Sequence, residues 1–250
     1  MNFNFRKSIF FLIISFLLLN SCSTKPPQIV YSNYSITKNI ILDSNSIKLL
    51  LPYKQQLSSS LNEIIGFSTY GLYSKKIESP IGNFMADAMK NMAEQKFNKK
   101  ITAAFINSGG IRSNLPKGEI TVNDVFNIMP FDNLIILQEV NGSVLKEFLQ
   151  HACKMGGWPI SKGASYIMKD RILVDVQIDG KPIIVDSVYI IANSDYIVNG
   201  GDNTTMLKKI SKQNNNYLLR DAIIDYIRLL TQNGNTIDAK IENRITDVKQ

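Results

Sequence analysis

The stretch that decides the fold is Ile101-Thr102-Ala103-Ala104-Phe105-Ile106-Asn107-Ser108-Gly109-Gly110-Ile111-Arg112. Its apolar first half predicts a short buried strand, and its second half predicts a glycine-rich loop. A second predicted strand, Val188 to Ala192, leads towards a similar loop, Asn199-Gly200-Gly201-Asp202. Glycine pairs allow positive φ and close approach of a ligand, and ligands of open α/β sheets gather where strands end. Ordinary turns use the same residues, so the loops alone leave both interpretations open.

Strand-like and helix-like segments alternate through the rest of the chain, from about residue 36 to residue 250. This order favours a mixed α/β class, with helices packed on a mixed β-sheet. Helices are predicted to begin at Ser79-Pro80, Thr121, Ser143 and Leu218. Further strands are predicted at Leu134 to Val140 and in a hairpin that joins Ile172–Ile178 to Ile183–Val185 through Asp179-Gly180.

The composition limits the chemistry that the chain can perform. Its 250 residues include a single histidine, His151. One histidine cannot build a multi-histidine metal site, and Ser-His or Cys-His catalysis has little to draw on. His151 lies on the helix predicted to begin at Ser143 and is interpreted as a boundary residue in preference to a ligand or a base. The net charge of +7 comes from scattered lysines, so a solvated surface is favoured over a nucleic-acid platform.

The first 22 residues predict export and a lipid anchor. Arg6 and Lys7 precede an apolar run from Ile9 to Leu19, which suits a signal peptide over residues 1–21. The following Leu19-Asn20-Ser21-Cys22 resembles the lipobox of bacterial lipoproteins, with acylation at Cys22. The alternatives are an uncleaved anchor and an ordinary signal peptide.

The lipobox implies a chain that is held on a membrane and faces the periplasm or the cell surface. Residues 22–40 would be a lipidated tether, and 41–250 the folded domain. Once Cys22 is acylated, Cys153 has no disulfide partner and is expected to be a small core residue.

Side chains in and near the two loops suggest a ligand. Phe131 lies in the proline-bounded loop Met129-Pro130-Phe131-Asp132-Asn133, and Tyr196 lies six residues before Asp202. Two such aromatics could hold a flat ring between them, or each could pack in the core. Arg112 offers a planar donor fork for phosphate or carboxylate, and Asp202 offers an acceptor for sugar hydroxyls.

Four stretches in order resemble the C-terminal, substrate-binding domain of bacterial and animal 5′-nucleotidases. They are Glu78 to Met89, Asn107 to Arg112, Gly118-Glu119-Ile120-Thr121 through Asn133, and Asn199 to Asp202. The resemblance covers about residues 65–210 and implies that family's mixed α/β fold. It assigns substrate binding to Lys75, Asn107, Gly109, Gly110, Arg112, Phe131, Tyr196 and Asp202.

The resemblance also implies a role for each side chain. Phe131 and Tyr196 would sandwich the base, with Tyr in place of the more usual Phe. Asn107 would lie near the base, Asp202 would take the ribose hydroxyls, and Arg112 would meet the phosphate end. Lys75 falls where the family has another arginine and would keep the charge without the fork. After Asp202 the family usually has Gly and an aromatic residue, where this chain has Asn203-Thr204.

In this family the hydrolytic two-metal site lies on a separate N-terminal metallophosphoesterase domain, with motifs such as D-x-H-G and G-N-H-E. Neither motif occurs in this sequence, and residues 23–64 are too few for such a domain. The leading hypothesis is therefore the nucleotide-recognition component of a split 5′-nucleotidase. The chain would contain no catalytic residue, cofactor or metal, and a separate phosphoesterase chain would bring the divalent metals.

Three other functions remain open. The first is a stand-alone lipoprotein that binds nucleosides or nucleotides for scavenging. The second is an interaction protein whose pocket is a relic. The third, independent hydrolase activity, is the least favoured, because it requires metal ligands that the sequence does not offer.

Overall fold

The computed structural model describes residues 31–32 and 43–248. The chain divides into two units, Met1–Lys48 and Leu49–Gln250. The predicted signal peptide, the lipidation site Cys22 and all of the tether except 31–32 lie outside the described residues, so they stay predictions. No helix within 43–248 has the length and apolar character that a membrane span needs.

The helices and strands alternate along the chain. The helices are α1 (Ser44–Leu61), α2 (Pro80–Phe97), α3 (Val122–Ile128), α4 (Gly142–Lys154), α5 (Asp195–Val198) and α6 (Leu219–Gln232). The strands are β1 (Ile64–Ser68), β2 (Ala103–Ala104), β3 (Gly118–Thr121), β4 (Leu134–Asn141), β5 (Ala164–Lys169), β6 (Ile172–Ile178), β7 (Lys181–Pro182), β8 (Val188–Ser194), β9 (Gln213–Leu218) and β10 (Ile245–Asp247).

Within residues 43–248 the strands form three sheets, with the orders β1-β3, β10-β5-β6-β7 and β2-β8-β4-β9. Two of these sheets are mixed, because β2 runs parallel to β8 and β10 runs parallel to β5 while the other pairs are antiparallel. The predicted mixed α/β class is confirmed. The strands are divided among several sheets, where the sequence analysis expected one.

Local sequence signals explain where the helices begin. The Ser79 hydroxyl accepts the Gly82 N–H at the start of α2, and Pro80 occupies the first helical position. At α3 the capping box is complete, since the Thr121 N–H donates to Asp124 and the Asp124 N–H donates back to the Thr121 hydroxyl. Both predicted starts are confirmed.

The predicted hairpin is wrong in its second strand. β6 pairs with Lys181–Pro182, and Ile183–Val185 lies beyond the pairing. The cause is tertiary: the Ile184 N–H donates to the Tyr189 hydroxyl, and the Val185 carbonyl accepts the Ser143 N–H at the start of α4. α4 itself begins one residue earlier than predicted, at Gly142.

The central sheet β2-β8-β4-β9 has a hydrophobic cluster on each face. Neighbouring residues belong to opposite clusters: Ala104 and Ala192 pack with α2 and α6, whereas Ala103 and Ile191 pack with α4. This alternation is the period-two geometry of a strand that is buried on both sides. Cys153 lies in the α4 cluster, fully buried, as predicted. Burial raises the pKa of its thiol to about 11.

The register of the central sheet explains why distant loops meet. Ala104 pairs with Ala192 in the parallel direction, so β2 and β8 end at the same edge. Ile135 pairs with Ser194 in the antiparallel direction, so β4 begins at that edge. The loops after β2, before β4 and after β8 therefore converge, and they contain most of the candidate site residues.

One buried ion pair joins α2 to the segment before β10. Both terminal nitrogens of Arg244 lie 2.7 Å from Asp87, one on each carboxylate oxygen. One of them also donates to the Ile160 carbonyl. The Arg244 side chain is 7% exposed, so the pair has little competition from water.

Arg244→Lys should lower the free energy of unfolding by about 1–3 kcal/mol, because lysine keeps the charge but leaves part of this donor set unmade. Denaturant titration measures the change. Arg228→Lys is the matched control, since its bonds to Glu63 lie at the surface and should matter little. Equal effects of the two substitutions would contradict the role given to Arg244.

Candidate functional site

Seven of the eight predicted binding residues line one cavity. Its volume is about 360 Å³, within the range of small-molecule sites. The seven are Asn107, Gly109, Gly110, Arg112, Phe131, Tyr196 and Asp202, and Asn133 joins them. Asn133 was not among the predicted site residues. It belongs to the same Pro130-Phe131-Asp132-Asn133 motif as Phe131, so this motif could have predicted it.

Lys75 does not line this cavity. It borders a second one, of about 640 Å³, together with Lys76, Arg171 and Ser108. The two cavities lie next to one another, because the residues of the loop after β2 contribute to both: Ser108 and Ile111 to the larger, their neighbours to the smaller. The structure therefore places Lys75 apart from the other predicted binding residues.

The glycines of the two loops are needed mainly because there is little space for a side chain, and less because of their backbone angles. Only Gly200 of the four has positive φ, at 95°, which differs from the general expectation for these loops. A Cβ on Gly110 would come within 3.0 Å of the Asn107 amide oxygen. A Cβ on Gly201 would lie 2.5 Å from the Tyr196 ring. These two glycines leave room for the side chains that border the cavity.

The loop that contains Phe131 is held by the first turn of α6. The buried Arg220 donates to the Phe131 carbonyl at 3.2 Å and to Asp132 at 2.6 Å. Its guanidinium also lies 4.1 Å from the centroid of the Phe126 ring. The fixed loop leaves the Phe131 ring 38% exposed. Sequence reasoning missed Arg220, because its partners are almost 90 residues away along the chain.

Asp202 is the most constrained polar group of the cavity. Its two carboxylate oxygens each accept one hydrogen bond, at 2.8 Å, from Asn107 and from the Tyr196 hydroxyl. The Asp202 N–H donates to the same hydroxyl at 3.2 Å. A carboxylate oxygen has two lone pairs, so each retains an acceptor site for a ligand.

Asn203 and Thr204 stand where the resemblance described above leads one to expect Gly and an aromatic residue. Asp202 and Asn203 have positive φ, 49° and 65°, which Asp and Asn tolerate better than other side chains. The Thr204 hydroxyl is buried within hydrogen-bond distance of the backbone carbonyls of Ile197 and Gly201, which share its one proton. The loop thus turns without the glycine.

Tyr196 presents its ring to the cavity and its hydroxyl to Asp202. The residue is 47% exposed. The hydrogen bond to the Asp202 carboxylate raises the pKa of Tyr196 above its ordinary value, because the carboxylate favours the protonated phenol. The contact is therefore present while the phenol is protonated and is lost as the pH rises through this raised pKa.

Arg112 supplies positive charge at another part of the same cavity. Its guanidinium carbon lies 5.7 Å from the centroid of the Phe131 ring, in a cation–π arrangement. One nitrogen reaches the Gly109 carbonyl at 3.4 Å. Within the described part of the chain, Arg112 forms no ion pair, so its charge faces solvent and any anion in the cavity.

His151 lies beside the cavity and not in its lining. It is half-buried in the last turn of α4, and its Nε2 contacts the Asp202 carbonyl. Across residues 43–248 there is no group of three or more His, Cys, Asp or Glu side chains that could hold a metal ion. The described residues therefore do not fit the two-metal site of a phosphoesterase.

A comparison with protein families decides the assignment. The model of the 5′-nucleotidase C-terminal domain matches residues 63–209, which is more than half of the chain. The chain belongs to this family. The match includes every residue that lines the 360 Å³ cavity.

Individual relatives agree with this assignment. The chain is 28% identical over 218 residues to the trifunctional nucleotide phosphoesterase protein YfkN of Bacillus subtilis, covering 78% of this chain and 14% of YfkN. It is 24% identical over 175 residues to the protein UshA of Escherichia coli, covering 66% and 31%. A 5′-nucleotidase precursor from Thermus thermophilus has a similar structure, with a TM-score of 0.72, 23% identity and coverage of 82% and 43%. The chain thus spans less than half of the length of each of these three proteins.

Asp202→Ala should lower the pKa of Tyr196 towards its ordinary value, because the substitution removes the acceptor that stabilises the phenol. Alkaline titration of tyrosinate absorbance measures this pKa. Subtracting the spectrum of Tyr196→Phe from that of the native chain isolates the absorbance of Tyr196. The same subtraction in the Asp202→Ala background uses the chain that carries both substitutions. The same Tyr196 pKa in both backgrounds would contradict the hydrogen bond.

Proposed function

We propose that this 5′-nucleotidase C-terminal-like domain is the nucleotide-recognition component of a split 5′-nucleotidase. One observation carries the proposal: two half-exposed aromatic rings, a carboxylate and an unpaired guanidinium line a single cavity. These groups match the three parts of a nucleotide, which are a flat base, a sugar with hydroxyl pairs and an anionic phosphate. Membership of a family of substrate-binding domains supports the recognition part of this proposal.

The base is proposed to stack on Phe131 and Tyr196. Arg220 fixes the backbone of the loop that contains Phe131, and the bond to Asp202 fixes the Tyr196 ring. Little freedom of the loop backbone and of the Tyr196 side chain would therefore be lost when a base enters. Stacking on an aromatic side chain contributes about 1–3 kcal/mol per base.

The sugar is proposed to lie at the negatively charged Asp202, and the phosphate at the positively charged Arg112. Asp202 would accept the ribose hydroxyls with its remaining lone pairs, while Asn107 fixes the carboxylate from the other side. Arg112 would donate to the phosphate with its exposed fork. Lys75, at the neighbouring cavity, would contribute charge to the phosphate end only from a distance.

Hydrolysis is proposed to require a separate metallophosphoesterase chain. The divalent metals on that chain would activate water and stabilise the charge of the phosphoryl group. The residues of this chain bind and orient the nucleotide.

We further propose that the domain is exported and anchored by acyl chains at Cys22. The basic start, the apolar run and the cysteine of residues 1–22 support this location. Several acyl chains hold a protein firmly, because each buried methylene contributes about 0.8 kcal/mol. The partner chain would then meet this domain outside the cytoplasmic membrane.

Phe131→Ala should weaken nucleoside binding by about 1–3 kcal/mol, roughly fivefold to 150-fold in Kd, because one face of the stack is lost. Isothermal titration calorimetry with adenosine, guanosine, cytidine and uridine measures Kd. Tyr53→Ala is the matched control, since this exposed tyrosine lies outside both cavities. No saturable binding by the native chain would overturn the proposed function.

The split arrangement is tested by purification from the native cell. We expect the complex to release phosphate from adenosine monophosphate, whereas the purified chain with added divalent metal should release none above background. Phosphate release by the chain alone would contradict the division of labour. Nucleoside binding without any co-purifying phosphoesterase would favour the stand-alone scavenging lipoprotein.

A further inference from the structure

One contact to Asp202 comes from behind the cavity wall. The Nε2–H of His151 donates to the Asp202 backbone carbonyl, at 2.7 Å between nitrogen and oxygen. The two residues belong to different segments, His151 to the last turn of α4 and Asp202 to the loop after α5. This contact joins the loop to the helix that packs under the central sheet.

We propose that His151 is a positioning residue that holds Asp202 in the geometry required to accept the ribose hydroxyls. This inference rests on the proposed function, because it concerns how the same cavity recognises its ligand. His151 touches neither the base nor the sugar in this arrangement. Its effect would pass through the backbone of a single residue.

The position of the contact makes it independent of the ligand. Asn107 and Tyr196 bind the carboxylate oxygens, which are the atoms that ribose hydroxyls would approach. A ligand therefore shares acceptors with these two anchors. The bond from His151 is on the main-chain carbonyl, so it remains intact when the carboxylate accepts a hydroxyl.

The loop needs such an anchor, because its backbone is not in a relaxed conformation. Gly200, Asp202 and Asn203 all have positive φ. For the two residues with side chains, this left-handed geometry is less favourable than the right-handed one, and surrounding contacts must maintain it. The bond from His151 is made to Asp202, which lies between Gly200 and Asn203 in this loop.

His151 is itself held in one orientation. Its ring lies edge-on to the Trp158 ring, with 5.9 Å between centroids. Trp158 is buried, and its backbone N–H and carbonyl are both bonded to the Tyr166 hydroxyl. The Nε2 proton is present in one neutral tautomer and in the imidazolium form, so donation does not require a change of charge.

Two substitutions separate the donor from the ring. His151→Phe keeps an aromatic ring against Trp158 and removes the donor, whereas His151→Gln restores an N–H donor without the ring. Each variant is titrated with the ribonucleoside bound most tightly by the native chain and with its 2′,3′-dideoxy analogue. His151→Phe should weaken binding of the ribonucleoside about fivefold to tenfold, the size of one net hydrogen bond.

The dideoxy analogue should bind to the native and His151→Phe chains with the same Kd, and His151→Gln should recover most of the lost affinity. Equal weakening for both ligands, or no weakening, would overturn the inference while leaving the proposed function intact. Absence of binding by the native chain would instead overturn the proposed function.

A measurement without any ligand tests the positioning by itself. If His151 holds Asp202 against Tyr196, His151→Phe should lower the pKa of Tyr196 towards its ordinary value, and His151→Gln should not. Tyrosinate absorbance, with Tyr196→Phe as the difference reference, gives this result. An unchanged Tyr196 pKa in His151→Phe would overturn the inference, whatever the nucleoside titrations show.

Discussion

The parallel pairing of β2 with β8, with β4 antiparallel on the other side of β8, is the constraint on which the site depends. It brings the ends of two strands and the beginning of a third to one edge of the central sheet. Residues almost 100 positions apart, such as Asn107 and Asp202, become hydrogen-bonded neighbours there. The hydrophobic clusters on both faces keep the sheet in this register, because a one-residue slip would move each side chain of the strand into the opposite cluster and disrupt the packing of both.

Asp202 shows how this architecture prepares a polar group for a ligand. Three different segments supply its donors: the loop after β2, the short helix α5 and the end of α4. Each bond has modest net value, but together they determine where the carboxylate lies before any ligand arrives. Such preorganisation reduces the ordering cost of binding, which suits a domain whose proposed task is recognition.

The tyrosine at position 196 adds a feature that a phenylalanine could not supply. Its ring can stack on a base, and its hydroxyl links the stacking surface to the carboxylate. The same bond raises the pKa of Tyr196, so a single titration reports on the geometry of both groups. In the proposed function, this side chain would couple recognition of the base to recognition of the sugar.

The sequence by itself determined the mixed α/β class and the starts of α2 and α3, and its resemblance to a family pointed to seven of the eight residues that line the cavity. These depend on local signals, such as Ser79-Pro80 and the Thr121–Asp124 capping box, or on motifs whose members lie close together in the chain. Only the tertiary structure decided that the strands form three sheets, that Lys75 borders a separate cavity, and that Arg220 and His151 support the site. Those features depend on pairing register and on contacts between distant segments, and neither periodicity nor a short motif contains that information.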